Sequence, residues 1–99
     1  MLALGLYIGS YRISCSKGTF YIYVPVRLAS QLKTRKVRVV ARVDARDCED
    51  SSVHGTIMAF PATLTNVGSS YRIRLPNRYR RLAERIHRCG SVELWLEPI

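Results

Sequence analysis

The chain has 99 residues, 47% of them hydrophobic, with sixteen Lys and Arg against seven Asp and Glu, for a net charge of +9. That length and apolar fraction suit one folded domain with its own core and exclude a disordered chain. Thirteen of the basic residues are arginine, and the excess is +5 over residues 1–50 and +4 over 51–99, which excludes a basic tail and puts the charge on folded surface.

MLALGLYIG opens the chain. It is too short to cross a bilayer as a helix, and it lacks the basic start and long apolar run of a signal peptide. It is expected to form the N-terminal strand of a cytoplasmic protein. YRISCSKG then leads through a glycine turn into TFYIYVP. There Phe20, Ile22 and Val24 face one side, and Tyr21 and Tyr23 the other. Pro25 ends this strand and suits the first turn of a short helix, on which Leu28 and Leu32 stand four apart. VRVVARV follows as a strand with Val37, Val39 and Ala41 on one face.

DARDCEDSS, residues 44–52, is the only polar stretch long enough for a linker. SSVHGTIMAFPATLT follows as one or two strands broken near Gly55 and Pro61. In the next strand Tyr71, Ile73 and Leu75 face in while Arg72 and Arg74 face out, and Pro76 ends it. A helix then carries Tyr79, Leu82 and Ile86 as a narrow apolar stripe and stops at Gly90. The last strand alternates Val92, Leu94 and Leu96.

These elements repeat. A shift of 51 places Phe20 on Tyr71, Ile22 on Ile73, Val24 on Leu75, Pro25 on Pro76 and Arg27 on Arg78. VRVVARV matches VELWLEP after about four extra residues in the second copy, and YRISCSKG matches PATLTNVG. The chain therefore divides into a first repeat at 1–46, a linker at 47–53 and a second repeat at 54–99, sharing one domain. Each repeat reads β-β-α-β.

NVGSSYRIRLPNRYRRLAERIHRCGSVELWLEP resembles the AbrB/SpoVT-like swapped-hairpin domain, and SKGTFYIYVPVRLASQLKTRKVRVVARV is similar to it. The resemblance implies an α+β, mostly β fold in which two interlocked copies build a small barrel. With both copies in one chain, it implies a pseudo-dimer, as in MraZ-type proteins. It also implies duplex DNA binding, ahead of RNA, by a transcriptional regulator. Carried onto this chain, the contacts fall on Arg72 and Arg74 before Pro76 and on Arg80 four residues after it. The first copy has Tyr21, Tyr23 and Ala29 at the corresponding places.

The residues leave several uses open. Arg78, Arg81, Arg85 and Arg88 are spaced three, four and three apart, which lines one helix face as a phosphate track. The competing use is a solvated face on which Glu84 neutralises Arg80, Arg81 or Arg88. Arg72 and Arg74 either contact a polyanion or pair with Glu93 and Glu97, if the last strand lies beside them. Tyr21 and Tyr23, with Arg12, Arg38 and Arg42, could form a face that stacks on unpaired bases, although tyrosine is also an ordinary strand former.

Cys15, Cys48 and Cys89 are odd in number and include no CxxC, which argues against a disulfide framework. Cys15 and Cys89 are expected to be small buried side chains. His54, His87, Cys48 and Cys89 have poor chelate spacing, so no metal or cofactor is expected. No phosphate loop, nucleophile elbow or paired histidines occur, and the chain reads as a non-enzyme. The expected partner is nucleic acid, with RNA or ribosomal RNA as the alternative ligand and an acidic protein as the third. A homo-oligomer is allowed, and neither a membrane nor a small-molecule substrate is expected.

Overall fold

The computed structural model describes residues 5–99. Among the described residues, eight strands form two antiparallel sheets of four, and two short helices connect them, so the fold is α+β and mostly β. One sheet runs β1 (Leu6–Tyr11), β8 (Ser91–Pro98), β4 (Lys36–Asp44) and β5 (Ile57–Thr63) from edge to edge. The other runs β2 (Ser14–Ser16), β3 (Thr19–Pro25), β7 (Ser70–Arg74) and β6 (Thr65–Val67). Helix α1 spans Val26–Ala29 and continues as a tighter turn over Ser30–Leu32. Helix α2 spans Arg80–Arg88 after a similar turn over Asn77–Tyr79. Met1–Leu4, the start of the expected first strand, lie outside the described residues.

The alternation in sequence decides which side of each strand is dry. Phe20, Ile22 and Val24 of β3 are buried, as are Val37, Val39, Ala41 and Val43 of β4 and Val92, Leu94 and Leu96 of β8. With Met58, Phe60, Leu64 and Ile73 they form one core cluster, to which the helices add Ala29, Ala83 and Ile86. Each fully buried aliphatic side chain is worth roughly 1.5–3 kcal/mol of transfer free energy. On the first helix Ala29 is the buried residue, while Leu28 and Leu32 are half-buried against the core. The expected leucine stripe therefore forms the margin of that contact.

The prolines and glycines act at the joints. Pro25 and Pro76 both hold extended backbone, with φ of −61° and −62°, and each hands its strand to a helical turn. Lys17 and Gly18 both adopt positive φ, 52° and 77°, forming the two-residue turn that joins β2 to β3. Gly90 has φ of 116°, and a Cβ there would stand 2.9 Å from the Asp44 carbonyl oxygen. It therefore ends the second helix and lets β8 start close beside β4. Pro61 does not break its segment: β5 runs through it, because β5 is an edge strand with one side free of ladder bonds.

The cysteine expectations are corrected. Cys48 and Cys89 form a disulfide, with Cα atoms 6.0 Å apart across 41 residues of sequence. Cys15 is free and exposed rather than buried. The pair forms because Cys89 leaves the end of α2 in extended conformation just where the 44–56 loop passes, a meeting that spacing along the chain does not encode.

Candidate nucleic-acid interface

The outer face of the second sheet is built by the register of its two central strands. Tyr21 lies opposite Arg74, Ile22 opposite Ile73 and Tyr23 opposite Arg72. Residues directly opposite share a face. Ile22 and Ile73 therefore point in together, fully buried, and the tyrosines and arginines point out together. Ser14 stands beside Tyr21, and Thr65 beside Arg72, on the flanking strands. The guanidinium of Arg72 lies over the Tyr21 ring, 4.7 Å from its centre, and the Tyr21 and Tyr23 ring centres are 6.3 Å apart.

This sheet contains no acidic residue in any of its four strands. Arg72 and Arg74 consequently have no carboxylate partner within it. The Arg72 guanidinium sits over Tyr21 and makes no side-chain hydrogen bond or ion pair among the described residues, so its N–H groups stay available to an oxyanion. One rim is also basic: Lys17 sits in the β2–β3 turn, and a guanidinium nitrogen of Arg80 lies 3.7 Å from where a Cβ on Gly18 would be. Arg80 shares its charge with Glu84, at 3.5 Å.

The arginines from 78 to 88 differ in their partners within the chain. Arg78 precedes the helix, donates to the Ala59 carbonyl at 3.1 Å and lies over the Tyr79 ring at 4.9 Å. Tyr79 joins it there, with its hydroxyl donating to the Ala59 carbonyl and accepting from the Ala59 N–H. The Ala59 N–H, and after it the neighbouring Arg78 guanidinium, hold the Tyr79 hydroxyl below the usual tyrosine range. Arg85 pairs with Asp50 at 2.7 Å. Arg81 and Arg88 are exposed, and neither makes an ion pair among the described residues.

The glutamates of the last strand are used elsewhere. Strand β8 pairs with β1 and β4, in the other sheet from β7. Glu93 bonds Arg42, and Glu97 lies 3.7 Å from Arg38. The alternative in which Glu93 and Glu97 pair with Arg72 and Arg74 does not occur, because the two strands lie in different sheets.

Sequence reasoning placed Arg72 and Arg74 on an outward strand face but grouped Tyr21 and Tyr23 with Arg12, Arg38 and Arg42. The structure puts the tyrosines beside Arg72 and Arg74 instead. A signal for this was present: the seven acidic residues all lie within 44–50 or at 84, 93 and 97, which leaves 1–43 and 51–83 without one. Averaging charge over each half of the chain hid those two acid-free runs. Compared with family models, with curated proteins and with solved structures, the chain gives no match.

Proposed function

We propose that this chain binds nucleic acid, duplex DNA first, through the outer face of the second sheet, as a transcriptional regulator would. The observation that carries the reading is the acid-free sheet on which Arg72 and Arg74 stand beside Tyr21 and Tyr23. Arg72, Arg74 and the rim residues Lys17 and Arg80 supply phosphate contacts, and Arg81 and Arg88 add positive potential from the helix. Arg78 and Arg85 serve the fold, through Ala59 and Asp50.

The two-copy architecture belongs to the same proposal. Ile22 and Ile73, equivalent under the shift of 51, are each other's cross-strand partners. Val40 and Trp95, equivalent under the shift of 55 that relates the last strands, are also partners. Strand β1 pairs with β8 as β5 pairs with β4, and β2 with β3 as β6 with β7. These pairings support a pseudo-two-fold axis through both sheets and strands exchanged between the repeats. Such an axis through the proposed face would align with the local two-fold of a duplex.

The test is binding of random duplex DNA across a salt series. The wild type is expected to weaken steeply with salt, and Arg72→Ala/Arg74→Ala to flatten the log–log slope by roughly 1.8, about 0.9 per phosphate contact. No binding at low salt would sink the reading and turn the arginines toward an acidic protein. One observation favours a second ligand: the Tyr21–Tyr23 pair offers ring faces to unpaired bases. Competition between duplex DNA and structured RNA separates the two.

A further inference from the structure

The outer face of the first sheet carries a pattern that is complementary to itself. Its central row runs Tyr7, Trp95, Val40 and Ala59 across the four strands. The row below runs Ser10, Glu93, Arg42 and Ile57, and the row above places Glu97 beside Arg38 and Pro61. Tyr7 is 49% exposed and Ile57 is 53% exposed, high values for large apolar side chains. Tyr7 and Trp95 pack with ring centres 5.2 Å apart, and Arg42 lies over Trp95. The face is thus an apolar row bordered by two ion pairs, with both arginines on β4 and both glutamates on β8.

We propose that two copies of the chain associate through this face, about a two-fold axis parallel to the strands. Rotation about that axis lays β4 of one copy over β8 of the other at the same height. Arg38 then meets Glu97 of the second copy, and Arg42 meets its Glu93. The same rotation sets Trp95 over Val40 and Tyr7 over Ala59, so large side chains meet small ones. The other in-plane axis, across the strands, sets glutamate over glutamate, arginine over arginine and Trp95 over Trp95. Charge and size select the same arrangement independently.

The β5 edge is already in use. The free edge of β5 is occupied at Ala59, whose N–H and carbonyl bond Tyr79 and Arg78. The association is separate from the nucleic-acid reading, because it uses the opposite sheet and leaves Tyr21, Tyr23, Arg72 and Arg74 open on each copy.

The test is charge-swap complementation on the full chain, read by sedimentation equilibrium. The wild type is expected at twice its 11.3 kDa mass. Arg38→Glu/Arg42→Glu and Glu93→Arg/Glu97→Arg are each expected to be monomeric alone, and to form a heterodimer when mixed. A wild type that stays monomeric, a dimer insensitive to both variants, or a mixture that stays monomeric would each overturn the proposal. Should the variants fail to fold by circular dichroism, the wild type alone still decides. Trp95 is the sole tryptophan, so its quenching by acrylamide should rise on dilution. Quenching that does not change with protein concentration overturns the proposal.

Discussion

Arg72 lies over Tyr21, with 4.7 Å between the guanidinium carbon and the ring centre, although 51 residues separate them in sequence. The contact is diagonal across the β3–β7 ladder, since Tyr21 faces Arg74 and Arg72 faces Tyr23. It holds a delocalised cation on the half-buried outer face of the sheet without neutralising it. Lysine would keep the charge but lose the planar fork. Arg72→Lys should therefore leave the salt slope of nucleic-acid binding unchanged and weaken affinity at fixed salt roughly fivefold, on the order of 1 kcal/mol. Loss of slope in that variant would show that the charge was not delivered to a phosphate.

The Ile22–Ile73 pair beneath this face tests the core. Both are fully buried and directly opposite. Truncation of either to alanine should cost about 2–5 kcal/mol in urea unfolding. Because the two side chains share one space, the double variant should differ from the sum of the singles by at least about 0.5 kcal/mol. Strict additivity would mean that they do not share a contact.

The cysteines yield a count. In the native unreduced protein one thiol, Cys15, should react with an aromatic disulfide reagent, and three should react after reduction and unfolding. Replacing Cys48 and Cys89 by serine reopens a loop spanning 41 residues. Loop-closure entropy for that length sets a loss of about 4 kcal/mol, which denaturant midpoints would register. Three reactive thiols before reduction would remove the crosslink from the account.

Asp50 provides a pH test. Its carboxyl is held below the ordinary carboxylate range, first by hydrogen bonds from Ser52 and then by the charge of Arg85. A depressed carboxylate stabilises the fold above the unfolded pKa of about 3.9, and that contribution is lost as pH falls through the lower folded value. Carboxyl NMR titration should find Asp50 below the usual range. Arg85→Ala should raise it part of the way only, because the Ser52 bonds remain. A full return to the ordinary value would make Arg85 the main cause.

What the sequence determined by itself is local. Residues two apart in a strand must share a side, so the alternation of Phe20, Ile22 and Val24 and of Val92, Leu94 and Leu96 identified strands and their dry faces without any partner in view. Pro25 and Pro76 lack the N–H that a central ladder needs, and Gly90 can adopt a backbone angle that other residues resist, so the joints were legible too. What only the tertiary structure decided is which strands meet. Strand β8 could have lain beside β7 on its alternation alone. Its place beside β4 gave Glu93 and Glu97 to Arg42 and Arg38 and left Arg72 and Arg74 facing Tyr23 and Tyr21. The Cys48–Cys89 bond depended on the same kind of meeting, between the end of a helix and a distant loop. Periodicity records the burial of a side chain, but the identity of its neighbour follows from contacts spanning tens of residues, which no local pattern specifies.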